Sequence, residues 1–142
     1  MKNTIVVNNL KETDMLAKKF AKLLKGGEVI LLNGDLGAGK TTFTKSLLKY
    51  LGVKDEVTSP TFTIMREYLC KKFDIYHFDM YRLSSGEEAR GFGLEDYIYS
   101  GDRRTIVLIE WAENVKDILS GEFVEINIRL IDDDKREFEI IR

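Results

Sequence analysis

Residues 34–41 contain the clearest chemical pattern in the sequence, a glycine-rich loop that ends in lysine and threonine. Their order, Gly-Asp-Leu-Gly-Ala-Gly-Lys-Thr, fits the phosphate-binding pattern G-x-x-x-x-G-K-[ST]. Glycine tolerates turns that a Cβ atom forbids, so the amides of such a loop can point inward at an anion. Lys40 is then expected to reach the β- and γ-phosphates of a nucleotide, and the Thr41 hydroxyl to bind the Mg²⁺ that bridges them. The sequence therefore predicts a nucleoside triphosphate site.

Two carboxylates stand at the ends of predicted strands, where they could act on such a nucleotide. Glu110 follows the apolar run 105–109, a Walker-B-like pattern, and is a candidate metal ligand; the alternative is a strand that simply reaches the surface. Asp79 ends the run 72–79 and is a candidate to act on a magnesium-bound or attacking water. His77, the only histidine, alternates with Asp79 and is expected on the same face of the strand. A lone histidine is more often structural than catalytic, so we assign His77 no role.

A loop that contains the only proline follows the glycine-rich region. Pro60 fixes its own φ angle and moves Ser59 out of the helical region, which makes the loop stiff. Hydroxyls on Thr58, Ser59 and Thr61 could sense a γ-phosphate, as in a switch loop that a triphosphate orders. The alternative is an ordinary polar turn that leads into a strand.

The elements around these residues must place them at one edge of a sheet. The run 28–33 has the length of a buried strand, and residues 41–51 carry apolar side chains on one helical face. Asn9 and Glu12 resemble a capping box at the start of a helix over 9–25, with Leu16, Phe20, Leu23 and Leu24 as its apolar stripe. We further predict strands at 4–7, 62–69, 72–79, 105–109, 122–130 and 135–141. A helix is expected to start within residues 84–88, and two short helices are expected over 94–98 and 114–119. The run 105–109 is expected to be a central parallel strand, and the last two strands an antiparallel hairpin.

Length and composition limit the possible functions. The chain has 142 residues, 44% of them hydrophobic and 32% charged, which favours one soluble domain with a core. A net charge of -2 argues against a protein that coats nucleic acid by bulk charge. The single cysteine, Cys70, excludes an internal disulfide or a cysteine-rich metal site. No apolar run approaches the roughly 20 residues of a membrane span, so we expect no membrane contact and a cytoplasmic location.

Four motifs occur in the order of one known family. They are residues 33–42, the segment Ser59-Pro60-Thr61-Phe62, residues 76–83 and the triplet Ile109-Glu110-Trp111. With them the chain resembles the TsaE (YjeE) family, bacterial ATPases needed to form threonylcarbamoyladenosine in tRNA. The resemblance covers nearly the whole chain. It implies a single P-loop NTPase domain of the α/β class, with three layers and a central mixed sheet. Parallel core strands and antiparallel additions would form that sheet, with helices on its flanks.

The family also implies cofactors, partners and residue roles. The cofactors are ATP and Mg²⁺. The partners are TsaD and TsaB, which transfer the threonylcarbamoyl group, so that tRNA is reached only through their complex. By this resemblance Lys40, Asp79 and Glu110 are catalytic, Thr41 and Glu110 hold the metal, and Ser59, Pro60 and Thr61 form a switch loop. Nucleotide contacts are expected from Gly37, Ala38, Gly39, Lys40, Thr41 and Thr42, and near the base from Asn9, Lys11, Thr13 and Arg136. Trp111 would lie beside the active site.

Three other functions fit parts of the pattern. A small-metabolite kinase needs an acceptor pocket and usually an arginine-rich lid, for which the chain has little room. A GTPase would need a guanine-reading Asn-Lys-x-Asp motif, which the sequence does not contain. A binding module would use ATP only to fold or dock. For the ATPase, no arginine finger is evident except Arg82 in the chain itself, so we expect slow turnover until a partner completes the site.

Overall fold

Seven strands form one mixed sheet in the computed structural model, which describes residues 1–35, 37–57 and 64–142. The strands are β1 (Lys2–Val7), β2 (Val29–Gly34), β3 (Met65–Leu69), β4 (Asp74–Asp79), β5 (Thr105–Glu110), β6 (Val124–Leu130) and β7 (Arg136–Ile141). Their order across the sheet is β1-β7-β6-β2-β5-β4-β3. The β2 strand pairs in parallel with β5 and β6, and β4 pairs in parallel with β5. The outer pairs β1–β7, β6–β7 and β3–β4 are antiparallel, so the predicted parallel core with antiparallel additions is confirmed.

Helices lie on both faces of this sheet. The longer ones, α1 (Leu10–Leu23) and α2 (Lys40–Tyr50), cover one face, and the short α3 (Gly86–Arg90) and α4 (Leu94–Ile98) cover part of the other. The helix predicted at 114–119 is instead a 3₁₀ segment over Ala112–Ile118, in which Val115 (φ -129°) departs from helical geometry and separates two short helices. Within the described part of the chain, every helix is too short or too polar to cross a membrane.

Three aromatic rings join α1, α2 and β7 in the larger core. Phe43 of α2 is fully buried, with its ring centroid 6.2 Å from that of Phe20 in α1 and 5.2 Å from that of Phe138 in β7. Leu47 and Leu48 continue the same buried face of α2. The helix α2, which follows the glycine loop, therefore packs against both α1 and the β6–β7 hairpin.

The start of α1 shows how local sequence sets its position. Asn9 caps the helix by accepting a hydrogen bond from the amide of Glu12 (2.9 Å), as predicted. The reciprocal bond differs from a capping box, since the Glu12 carboxylate accepts from the backbone amide of Asn8 instead (3.0 Å). The predicted apolar stripe is wrong at Leu23, which is 53% exposed. The buried face is formed by two rows of residues four apart, Leu16, Phe20 and Leu24 in one row and Ala17 and Ala21 in the other. Leu23 lies outside both rows and faces solvent.

The second face of the sheet is covered unevenly. Over β2, β5 and β4 it packs against α3, α4 and the 3₁₀ helix in a separate apolar cluster. Over β6, β7 and β1 its side chains are half-buried or exposed, and they are polar except for Val6 and Ile141. There the Asn33 amide donates to Asn127 (2.9 Å), whose own amide donates to Glu139 (3.2 Å), and Lys2 pairs with Glu139. This ladder of polar contacts is the wet face that the alternation of the last hairpin predicts.

Candidate nucleotide-binding site

The glycine loop lies between the end of β2 at Gly34 and the start of α2 at Lys40. Gly37 (φ +81°) and Gly39 (φ +109°) both take left-handed backbone conformations that residues with a side chain rarely adopt. Gly39 occupies the N-cap position of α2, and no side chain caps the helix there. Glycine offers no side chain to cap the first amides of α2, and the positive end of the helix dipole favours an anion at this place.

Lys40 extends into a largely enclosed position beside an aromatic ring. Its side chain is 6% exposed, and its Nζ lies 4.3 Å from the ring centroid of Trp111. Within the described residues, Lys40 forms no ion pair with a carboxylate. A buried ammonium without an anionic partner is costly, which fits a side chain whose partner is a bound anion.

The two predicted acids meet at the same edge of the sheet. Asp79 and Glu110 are register partners at the ends of the parallel strands β4 and β5, and each is 5% exposed. Asp79 accepts a hydrogen bond from the amide of Tyr81 (2.9 Å). Glu110 Oε2 lies 2.6 Å from His77 Nε2, an interaction between two buried side chains. Glu110 is therefore buried at the end of its strand, and its assignment as a metal ligand stays a prediction.

Two aromatic residues wall the cleft next to these acids. Trp111 has a left-handed backbone (φ 58°), so the chain turns directly after Glu110. Its ring centroid lies 5.0 Å from that of Tyr81. The Met80 amide donates to the carbonyl of Glu110 (3.0 Å), and Asn114 donates to the carbonyl of Met80 (3.0 Å). Sequence reasoning missed Tyr81 as a wall residue, although its place two positions after Asp79 was a usable signal.

Two adjoining clefts open around the glycine loop. The first has a volume of about 420 Å³ and is lined by Gly37, Gly39, Lys40, Thr41, Thr42, Asp79, Tyr81, Glu110, Trp111 and Arg136. The second has a volume of about 410 Å³ and is lined by Asn9, Leu10, Lys11, Thr13, Gly39, Thr42, Asp133, Asp134, Arg136 and Phe138. Gly39, Thr42 and Arg136 line both clefts. The site thus has two compartments, both lined in part by charged residues, which meet at the start of α2.

The side chains predicted to approach a base all line the second cleft, but they are not equally available. Asn9 uses its side-chain oxygen to cap α1, and Thr13 is 4% exposed. Lys11 is exposed at the rim. Arg136 donates through Nη1 to the carbonyls of Asp132 (3.4 Å) and Asp133 (3.2 Å), which holds its guanidinium across the boundary of the two clefts.

Other predictions about the site are limited by the described residues. Ala38 is buried at 2% exposure, so any contact it makes with an anion is through its backbone. The switch-loop residues Ser59, Pro60 and Thr61 lie outside the described residues. Across residues 1–35, 37–57 and 64–142, no three side chains of His, Cys, Asp and Glu cluster closely enough to hold a metal without further ligands. A metal here would have to share its coordination with a ligand such as a phosphate group.

Comparisons with known proteins agree with this architecture. The sequence matches the family model described as threonylcarbamoyl adenosine biosynthesis protein TsaE over residues 7–138. A TsaE protein of Rickettsia felis is 41% identical over 138 residues, which cover 96% of this chain and 78% of that protein. One from Aquifex aeolicus is 39% identical over 142 residues, covering 97% and 95%. The crystal structure of Bacillus subtilis YdiB superimposes with a TM-score of 0.82 at 36% identity, covering 99% of this chain and 84% of YdiB.

The family-model match over residues 7–138 includes every residue that lines the two clefts. The chain therefore belongs to the TsaE family of threonylcarbamoyl adenosine biosynthesis proteins.

Proposed function

We propose that this protein binds and hydrolyses ATP with Mg²⁺ in the pathway that forms threonylcarbamoyladenosine in tRNA. The observation that carries the proposal is the convergence of three buried charged side chains on one cleft. Lys40 comes from the start of α2, and Asp79 and Glu110 from the ends of two parallel strands. A buried ammonium is costly unless an anion matches it, and a phosphate chain would match Lys40, while its cation would be attracted to the two carboxylates.

The phosphate groups are proposed to occupy the first cleft. Amides of the loop from Gly37 to Gly39 and of the first turn of α2 bind the phosphate oxygens. Lys40 donates to the β- and γ-phosphates, and the exposed hydroxyl of Thr42 lies at the junction of the clefts, where the α-phosphate would connect the two halves of the nucleotide. This arrangement holds the triphosphate in place while the terminal phosphoryl group is transferred to water.

Thr41 and Glu110 are the residues proposed to hold Mg²⁺. Magnesium in phosphate-processing proteins is usually bound by one or two carboxylates together with substrate phosphates, and this cleft offers that donor set. The ion would neutralise charge that develops on the phosphate oxygens. Asp79, whose carboxylate accepts a hydrogen bond from the Tyr81 amide, is proposed to orient the attacking water. Glu110 is assigned as the ligand because it follows the apolar run 105–109 in a Walker-B-like pattern.

The base is proposed to lie in the second cleft, between the start of α1 and the β6–β7 turn. Leu10, which is exposed, offers it apolar surface, and the side chain of Arg136 runs along its boundary with the phosphates. Adenine is favoured because no guanine-reading Asn-Lys-x-Asp motif occurs in the sequence. ATP, rather than GTP, is therefore the proposed substrate.

The ATPase is proposed to act on a complex of TsaB and TsaD in the cytoplasm and to reset it between turnovers. Arg136 is the one arginine among the described residues that line the two clefts, and carbonyl oxygens already hold its Nη1. No free arginine is thus placed against the phosphate cleft in this part of the chain. Hydrolysis is expected to be slow alone and to accelerate when the partner complex supplies the missing stabilisation.

Phosphate release from Mg-ATP tests this proposal. The purified chain should release phosphate slowly, and addition of TsaB and TsaD should raise the rate. Glu110→Ala should abolish magnesium-dependent release both with and without the partners. The control is Glu122→Ala, because Glu122 is exposed in the connection before β6, away from both clefts. Equal rates with and without TsaB and TsaD, or normal release by Glu110→Ala, would contradict the proposal.

A further inference from the structure

His77 lies beneath the first cleft, at a position where packing alone would favour an apolar residue. His77 is 2% exposed, and its strand neighbour on the same face, Ile75, is fully buried. Its register partner on β5, Leu108, is fully buried as well. The imidazole thus lies in a layer of apolar side chains, one residue pair below Asp79 and Glu110.

Among the described residues, the imidazole makes one close polar contact. His77 Nε2 lies 2.6 Å from Glu110 Oε2, and because a carboxylate only accepts hydrogen bonds, Nε2–H is the donor. The other carboxylate oxygen, Oε1, accepts no hydrogen bond from the described residues, and Glu110 lines the cleft beside Lys40 and Thr41. One oxygen of Glu110 is therefore held from below, while the carboxylate remains available to the cleft above.

The second ring nitrogen argues against a role in packing. His77 Nδ1 is buried and has no hydrogen-bond partner among the described residues. A buried polar atom without a partner destabilises a fold, so an aliphatic side chain of similar size would serve this layer better. What distinguishes histidine here from such a residue is the Nε2–H bond to Glu110.

We propose that His77 is a positioning residue that orients the Glu110 carboxylate for Mg²⁺. Its hydrogen bond to Oε2 restricts rotation of the carboxylate and directs Oε1 toward the metal that accompanies the nucleotide. Hydrogen bonds to metal-binding side chains commonly change metal affinity by about 10- to 100-fold. This inference rests on the proposed function, because it takes Glu110 as the metal ligand.

Two substitutions of equal length separate the hydrogen bond from the volume of the ring. In His77→Gln the side-chain amide can still donate to Glu110, whereas in His77→Met the unbranched side chain of similar length cannot. ATP binding is followed by the emission of Trp111, the only tryptophan, whose ring lines the cleft 4.3 Å from Lys40 Nζ. Each variant is titrated with ATP in EDTA, and then with Mg²⁺ at fixed ATP.

The magnesium response is the informative measurement. His77→Met should raise the Mg²⁺ concentration for half-maximal response by about 10- to 100-fold. His77→Gln should return it to within about threefold of wild type, because the donor is restored. ATP binding in EDTA should be unchanged in both variants, since Lys40 and the loop amides do not depend on His77. An unchanged magnesium response in His77→Met, or equal impairment of both variants, overturns the inference.

A double-variant cycle keeps the inference testable even if His77→Met perturbs the fold. In a Glu110→Ala background, His77→Met should have no further effect on the magnesium response, because the group that it positions is gone. A further shift in that background overturns the inference. If wild type binds no ATP in either condition, the proposed function itself fails, which is a result distinct from all of these.

Discussion

Replacing Lys40 with methionine should have opposite effects on the free protein and on its nucleotide complex. The Lys40 side chain is 6% exposed and, in the described part of the chain, forms no ion pair. Its contact with the Trp111 ring is worth about 1–2 kcal/mol, which offsets the cost of a buried ammonium only in part. Lys40→Met is therefore expected to leave the Tm of the free protein unchanged or to raise it.

With Mg-ATP the same change should remove most of the stabilisation by ligand. A charge-assisted hydrogen bond to a phosphate contributes about 2 kcal/mol to binding. Its loss should therefore raise the Kd for Mg-ATP by about 30-fold. At an ATP concentration of about 100 times the wild-type Kd, the ligand stabilises wild type by about 2.7 kcal/mol and the variant by about 0.9 kcal/mol. For a domain of this size, 1 kcal/mol corresponds to about 4 °C in Tm. Mg-ATP should therefore raise the Tm of wild type by about 11 °C and that of Lys40→Met by about 4 °C.

Scanning calorimetry with and without Mg-ATP measures both effects. Lys45→Met is the matched control, because Lys45 is exposed on the same helix and lines neither cleft. It should change neither the Tm of the free protein nor the shift with ligand. The reasoning is refuted if Lys40→Met lowers the Tm of the free protein and keeps the full shift with Mg-ATP.

Three further variants probe the core, the loop and a surface pair. Phe43→Ala should lower the free energy of unfolding by about 3–5 kcal/mol in urea titrations, since it removes a fully buried ring that contacts two others; a loss below 1 kcal/mol would contradict this. Gly39→Ala should weaken ATP binding measured by calorimetry, because alanine is strained at φ +109°, and unchanged affinity would count against the loop geometry. Tyr50→Phe removes the hydroxyl that donates to Asp14 (2.5 Å) and holds the pKa of that carboxyl below its usual value. In wild type this hydrogen bond should stabilise the fold at neutral pH, and its contribution should be lost as the pH falls through the lowered pKa of Asp14. Wild type and Tyr50→Phe should therefore differ in stability at neutral pH and converge in acid. A difference that persists in acid urea titrations would refute the assignment.

Local patterns were sufficient to predict the phosphate loop and the elements on either side of it. An apolar run, glycines that require left-handed backbone and an amphipathic helix each depend on neighbours within a few residues. The structure bears this out for β2 and for α2, whose predicted apolar face is buried at Phe43, Leu47 and Leu48. The central position of β5 also followed from its composition, since a strand buried on both faces is apolar throughout.

Features that depend on strand order could not be predicted in the same way. The bond between His77 and Glu110 joins residues 33 positions apart and exists because β4 and β5 are parallel neighbours in a particular register. The contact between the tilted rings of Tyr81 and Trp111 has the same origin. The 3₁₀ helix was mispredicted as a later helix because the left-handed turn at Trp111, which begins it, is unusual for a residue with a large side chain. The position of the Arg136 side chain between the clefts is set locally, by carbonyl groups of its own turn. It could not be predicted because the amino-acid sequence does not show where backbone carbonyl groups point.

The pairing of β2 on both sides has a consequence for how the site can move. Because β2 hydrogen-bonds in parallel with β5 on one side and β6 on the other, its backbone cannot separate without disrupting the centre of the sheet. Amide protons of Leu31 and Leu32 should therefore exchange with deuterium only through global unfolding. The loop that follows Gly34 is thus anchored to the slowest-opening part of the molecule, and binding and release of nucleotide must proceed by rearrangement of its surroundings while that anchor stays closed.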